Sequence, residues 1–186
     1  MLNKHIKVLL YGANLWYLGE GMFGPLVAVF TERVGGDILD ISWALAIYLA
    51  VTGIVTILLG RFSDKHKTQE RMMVLGYGLN ALFTFCYLFV NSTTSLFLVQ
   101  AGLGIASALA TPTWEALYAK HENKKFGGYT WGLAEGEASL VTAVAMIIGG
   151  LIVQNTSFTI LFIIMGCIQL LATIYQSQIL FFKKEN

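Results

Sequence analysis

Six long apolar segments, separated by short linkers that carry most of the charge, constrain this sequence more than any other feature. A helix needs about 20 apolar residues to cross a hydrocarbon core of ~30 Å. Six segments are long enough: residues 8–30, 41–59, 72–90, 94–118, 129–153 and 158–182. Spanning β-strands would be about ten residues long with strict alternation, which these segments lack. The sequence therefore predicts an all-α membrane protein, with a single domain of six transmembrane helices over residues 1–186.

The composition agrees with a membrane protein and excludes several other classes. Only 12% of the residues are charged and 56% are hydrophobic, whereas about a quarter of a soluble domain is charged. A net charge of +1 lacks the basic excess of a nucleic-acid-binding surface. Cys86 and Cys167 lie within apolar segments, so we interpret them as small apolar residues. We expect the lipid bilayer as a partner, no nucleic acid, no cofactor and no metal site.

The lysine and arginine residues predict how the chain is oriented. Eleven of the twelve fall at one end of a six-helix arrangement, and only Arg33 falls at the other. The eleven are Lys4, Lys7, Arg61, Lys65, Lys67, Arg71, Lys120, Lys124, Lys125, Lys183 and Lys184. Basic residues concentrate in cytoplasmic loops. The sequence therefore predicts a multi-pass protein of the cell membrane (plasma or inner) with both termini in the cytoplasm.

The linker between the second and third segments carries a motif. It contains Gly60, then Asp64 and Lys65, then Arg71 just before the third segment. This resembles the signature loop of the major facilitator superfamily, and the loop's position, the predicted cytoplasmic N-terminus and Pro25 late in the first segment are similar too. The resemblance implies a transporter that works by alternating access. It also implies half of the family's bundle, built from 3+3 inverted repeats, since family members usually have two six-helix halves.

A single six-helix half would leave its cavity-lining face open to lipid, with polar groups unsatisfied. We therefore expect a homodimer in which a true two-fold axis relates the halves. A heterodimer or a truncated fragment are the alternatives; Met1 and the polar end at residues 183–186 favour a complete chain. In the family, the loop aspartate lies near the N-terminus of a helix in the opposite half. This implies a gating loop of Gly60, Asp64, Lys65 and Arg71 acting near Gly128 of the partner.

The fourth segment has a polar stripe. Its members recur at steps of three and four, with Trp114 beside them: Gln100, Gly104, Ser107, Thr111, Glu115 and Tyr118. At 100° per residue these positions share one face, and Pro112 predicts a kink. Polar groups in spans usually face the interior or a water-filled path, so we interpret the stripe as lining a transport pathway. The alternative is close helix packing through small residues, which accounts for Gly104 and Ser107 better than for Gln100 or Glu115.

Glu20 lies near the middle of the first segment, ~18 Å from its start. An ionised carboxylate is costly at that depth, so Glu20 is predicted to exchange a proton and to couple transport to protons. The alternative is a permanently protonated structural residue. Asn14 and Tyr17 share the helix with Glu20 and are also assigned to the substrate or proton pathway, and Trp16 lies one turn from Glu20. An acidic, aromatic cavity suits organic cations.

The fifth segment adds Glu135, which begins a second polar edge and is also assigned to the substrate or proton pathway. Glu115 lies near the cytoplasmic end of its segment, where it could reach Lys120. For both Glu115 and Glu137, a structural role and a role in the pathway stay equally open. Gly132 and Gly136 form a pair suited to close helix contact.

We therefore predict a proton-coupled, homodimeric secondary active transporter of a small solute. One version of this prediction is an exporter of organic cations or drugs. The alternative is a non-transporting membrane subunit or one half of a heterodimeric carrier. An intramembrane enzyme is disfavoured because none of the six segments contains a histidine or an aspartate, so we assign no catalytic residue. No filter loop of a channel is evident.

Overall fold

The computed structural model describes residues 2–66 and 68–182, and the side chains of this part except those of residues 61–66. The described part is helical with short connections. Seven α-helices follow one another: α1 Lys4–Gly21, α2 Val27–Arg33, α3 Ile38–His66, α4 Gln69–Cys86, α5 Thr93–His121, α6 Gly127–Asn155 and α7 Phe158–Gln176. Four 3₁₀ turns join or extend them: Gly24–Leu26, Tyr87–Phe89, Lys124–Phe126 and Ser177–Phe181.

Five of these helices, α3 to α7, are long and apolar enough to cross a membrane by length and composition. The first predicted segment, residues 8–30, is divided into α1, the turn Gly24–Leu26 and α2. Pro25 stands at the start of that turn, and a proline lacks the N–H that a continuing helix would need. Pro112 does not divide α5, which continues as a helix to His121.

Side-chain caps explain where three helices begin. Asn3 accepts a hydrogen bond from the backbone N–H of Ile6 at 2.8 Å and so caps α1. Ser92 and Ser95 form a capping box at the start of α5, and Ser157 caps α7. Such caps satisfy backbone donors that the first helical turn leaves free.

Both chain ends lie at the same end of the bundle, which we call the terminal end. The Asn3 side chain donates to the backbone oxygen of His121 at 2.7 Å, and the Lys4 ammonium lies 4.7 Å from the ring centroid of Phe182. At the opposite end, the Arg33 guanidinium lies over the ring of Phe158.

The helices pack in the order α3, α5, α4, α7, α1, α6. Two apolar clusters hold them together. The cluster at the opposite end is built around Phe23, Phe30, Tyr87 and Phe162, and that at the terminal end around Leu9, Trp16, Tyr77, Leu117 and Tyr118. The helices α3 and α6 stand at the two edges of this order and remain the least buried.

Candidate transport site

A cleft separates α1 from α5. The helix α1 packs mainly against α6 and α7, whereas α5 packs mainly against α3 and α4. A cavity of about 250 Å³ occupies the cleft on the side of the opposite end. Polar side chains of four helices line it, together with the ring of Tyr87: Glu20 on α1, Tyr48 on α3, Asn80 and Thr84 on α4, and Gln100 on α5.

Glu20 is half-buried at the edge of this cavity. Its Oε2 accepts a hydrogen bond of 2.6 Å from the indole N–H of Trp16, one helical turn earlier. Trp16 is buried, and its ring centroid lies 4.7 Å from that of Tyr77. Across the described part of the chain, no lysine, arginine or histidine pairs with the Glu20 carboxylate. All twelve lysines and arginines lie outside the six apolar segments.

Gln100 and Asn80 place side-chain amide groups inside the helical bundle. Gln100 is 4% exposed, and its Nε2 donates to the Tyr87 hydroxyl at 3.3 Å. Asn80 is 1% exposed, and its Nδ2 has no hydrogen-bond partner. Sequence analysis assigned Gln100 to the pathway but missed Asn80 and Tyr87. The sequence feature that could have identified Asn80 is its side-chain amide, because residues 72–90 contain no other asparagine or glutamine.

A second, smaller cavity of about 30 Å³ lies between α1, α4 and α5. Tyr17, Thr111 and Trp114 line it together with Trp16 and Tyr77. Because Trp16 borders the smaller cavity and Glu20 the larger one, the hydrogen-bonded pair separates the two. The structure thus brings Tyr17, Thr111 and Trp114 together around one cavity.

Glu115 and Glu135 extend this region toward the terminal end. Both are exposed, and both lie within electrostatic range of the Tyr17 hydroxyl, as does Glu20. Glu115 and Glu135 also act on each other. Three carboxylates, from α1, α5 and α6, thus act electrostatically on Tyr17. A group of this kind is costly against lipid.

Two predicted pathway residues lie elsewhere. Asn14 faces α6, where its Nδ2 donates to Glu137 Oε2 at 2.7 Å. Tyr118 is fully buried, stacks on Trp114 and donates its hydroxyl proton to the backbone oxygen of Thr130 at 2.7 Å. Each therefore has a hydrogen-bond partner within the chain.

The remaining site residues predicted from the sequence are Ser107 and those of the gating loop. Ser107 is buried, with its Oγ 3.4 Å from that of Thr111. Gly60 and Arg71 are exposed. The side chains of Asp64 and Lys65, and all of Lys67, lie outside the described residues.

The family model of the Major Facilitator Superfamily matches residues 9–186. An uncharacterised transporter of this type from Methanocaldococcus jannaschii is 24% identical over 173 residues, 93% of this chain and 45% of that protein. The proton-coupled antiporter flippase LtaA of Staphylococcus saprophyticus is 24% identical over 153 residues, 80% of this chain and 37% of that protein. The multidrug resistance protein MdtG of Escherichia fergusonii is 18% identical over 162 residues, 85% of this chain and 40% of that protein.

The chain thus spans less than half the length of the curated relatives it matches. The family consists of multi-pass membrane transporters, which in general are not enzymes. Its signature loop was the basis of the sequence resemblance, and the match over residues 9–186 confirms that resemblance. The chain belongs to the Major Facilitator Superfamily and has the size of one half of its relatives.

Proposed function

We propose that this chain is one half of a proton-coupled secondary transporter that moves a small organic cation by alternating access. The observation that carries the proposal is the Glu20 carboxylate, which borders a cavity inside the bundle without a cationic partner among the described residues. A buried carboxylate must be neutralised or paired. A proton and an organic cation would satisfy it in turn, and this competition couples the two fluxes.

The relatives support both parts of the proposal. One is named a proton-coupled antiporter flippase and another a multidrug resistance protein. Glu115 and Glu135 are exposed and lie within electrostatic range of Tyr17, and their negative charge would attract cations. We place the protein in the cell membrane with both termini in the cytoplasm, because basic residues dominate the terminal end.

Six spans in two three-helix repeats fit the packing, if α1 and α2 together form one span. Exchanging α1, α3 and α4 with α5, α6 and α7 maps the main helix contacts onto one another. The α1–α6 contact corresponds to α5–α3, the α1–α7 contact to α5–α4, and α4–α7 to itself. This symmetry supports the 3+3 repeat that the family resemblance implies.

The edge helices supply a surface for a second half. Beside Gly53 on α3, and beside Gly132 and Gly136 on α6, no atom lies within 4 Å of where a Cβ would stand. Small residues on a membrane helix let another backbone approach closely. In a two-fold dimer, α3 of one copy would pack against α6 of the other, and Glu115 and Glu135 would be enclosed between the two copies.

Disulfide trapping tests this pairing. Ile57 lies 19 residues after the start of α3 at Ile38, and Gly136 lies 19 residues before the end of α6 at Asn155, so the two should stand at similar depth. In a background without Cys86 and Cys167, we expect the Ile57→Cys, Gly136→Cys double variant to form a disulfide-linked dimer under mild oxidation.

Native Cys167 provides the control for disulfide trapping. It is exposed on α7, away from the proposed interface, and should not link two wild-type chains. A dimer trapped through Cys167 but not through Ile57→Cys and Gly136→Cys would contradict the α3–α6 arrangement. Trapping that requires a different second chain would favour the heterodimeric carrier.

The loop between α3 and α4 would control the conformational change. Asp64 would lie near the N-terminus of α6 of the second half, which begins at Gly127. A carboxylate at a helix N-terminus contributes roughly 0.3–1 kcal/mol when exposed and up to about 2 kcal/mol when partly buried. Such a contact can bias two conformations without locking one. Gly60, Lys65 and Arg71 belong to the same proposed gate.

Proton flux in reconstituted vesicles tests the function directly. Vesicles with an acidic lumen are loaded with purified protein, and a pH-sensitive dye reports the lumen. We expect a monovalent organic cation added outside to alkalinise the lumen, since one cation enters for each proton released. Protein-free vesicles are the control. A panel of organic cations that moves no protons, with dimeric folded protein present, would favour the non-transporting membrane subunit.

A further inference from the structure

The cavity beside Glu20 lies within the six-helix bundle. Its lining comes from α1 to α5, from α7 and from the turns beside them.

Three kinds of group in the lining of this cavity bear on its ligand. Glu20 supplies a carboxylate that, among the described side chains, accepts a hydrogen bond from Trp16 alone. Phe23 and Tyr87 supply aromatic rings, packed edge to face with centroids 4.9 Å apart. Asn80 supplies an amide N–H donor that is buried and lacks a partner.

Each group requires something different of a ligand. A carboxylate beside aromatic rings attracts an organic ammonium group through charge and cation–π contact. A buried amide donor without a partner is costly, so it favours a ligand that carries a hydrogen-bond acceptor. The cavity of about 250 Å³ has room for roughly eight water molecules, or a molecule of about that many non-hydrogen atoms.

We propose that the cavity beside Glu20 binds a small hydroxylated ammonium compound, with the ammonium group at Glu20 and the hydroxyl oxygen accepting a hydrogen bond from Asn80 Nδ2. This inference rests on the proposed function, because it names the solute class of the same carboxylate. It goes beyond that function in making Asn80 the specificity-determining residue.

A pair of probes isolates the role of Asn80. Choline carries a hydroxyl group, and propyltrimethylammonium has nearly the same shape with a methyl group in that place. Equilibrium dialysis on the purified full-length protein measures the affinity for each. We expect choline to bind the wild-type protein about five- to tenfold more tightly, the contribution of one additional buried hydrogen bond.

Asn80→Leu should remove this preference. Leucine has a similar volume and no donor, so the two probes should bind within about twofold of each other. Gln176→Leu is the matched control: Gln176 is a fully buried amide with an unpaired Oε1, contacts Met73 near the terminal end, and does not line the cavity. It should leave the preference for choline unchanged.

Several outcomes would overturn the inference. A folded wild-type protein that binds neither probe would do so, as would sodium ions displacing choline at equal concentration, because the pocket would then be empty or specific for a metal ion. A preference for choline that persists in folded Asn80→Leu would remove the role of Asn80. If Asn80→Leu does not fold, Asn80→Ala replaces it. Alanine has neither a donor nor an acceptor in its side chain, so loss of the choline preference supports the inference and its persistence contradicts it.

Binding and transport separate the two proposals. Choline binding with the predicted preference, but without proton flux, would contradict the proposed function and leave the pocket intact. Proton-coupled flux of organic cations by a protein that shows no preference for choline over propyltrimethylammonium would support the proposed function and contradict the role of Asn80.

Discussion

Replacing Gly149 by alanine is expected to destabilise the protein markedly, lowering its thermal unfolding midpoint by roughly 3 to 10 °C. A Cβ at this position would stand 2.0 Å from the backbone oxygen of Met22 and 2.7 Å from its carbonyl carbon. Both obstructing atoms belong to the backbone, so no side-chain rotation relieves the contact. The helix α6 would have to move away from the end of α1, where Met22 is buried in the apolar cluster.

Gly150→Ala is the control for this prediction. Gly150 is the next residue of α6, and a Cβ there would meet no atom within 4 Å. Alanine also favours a helix over glycine by about 1 kcal/mol, so this variant should match or slightly exceed the wild-type midpoint. Unfolding followed by tryptophan fluorescence in detergent measures both variants. Equal midpoints for the two would mean that α6 does not approach α1 as closely as the structure has it.

Replacing Glu20 by glutamine is expected to reduce proton-coupled flux to the level of protein-free vesicles. Glutamine keeps the size of the side chain and can still accept a hydrogen bond from Trp16 through its carbonyl oxygen, so folding should survive. It can neither bind a proton at physiological pH nor attract a cation by charge. Proton binding and cation binding therefore both lose the carboxylate that they share.

Glu32→Gln controls for the loss of a carboxylate as such. Glu32 is exposed in α2 near the opposite end, outside both cavities, and its replacement should leave the flux within about twofold, as for surface changes generally. Size-exclusion profiles and unfolding midpoints establish that each variant is folded. Proton-coupled flux that persists in folded Glu20→Gln would refute the role proposed for this carboxylate.

The membrane class and the family were predictable from the sequence because they depend on features that are local along the chain. Segment length and apolar composition indicate helices that can cross a bilayer irrespective of their neighbours. The spacing of Gly60, Asp64 and Arg71 lies within one linker. The helical fold and the family match over residues 9–186 confirm these predictions at that level. The break at Pro25 also followed from a residue that lacks a backbone donor, although sequence analysis treated residues 8–30 as one segment.

The site was predictable only in part, because helical periodicity identifies a polar face but not the helix that it meets. Depth in the first segment selected Glu20, and the polar stripe selected Gln100 and Tyr118. Their hydrogen-bond partners, Trp16, Tyr87 and Thr130, are visible only in the folded structure.

The sequence by itself therefore determined that this chain is an α-helical membrane protein of a known transporter family, and that a carboxylate lies deep in its first apolar segment. Only the tertiary structure decided which groups surround that carboxylate, placing Asn80 of α4 and Gln100 of α5 on the same cavity. The physical reason is that the rotation and order of packed helices depend on close contacts between them, such as that of Gly149 with Met22. Such contacts join residues far apart in the chain, so no pattern within one helix encodes them.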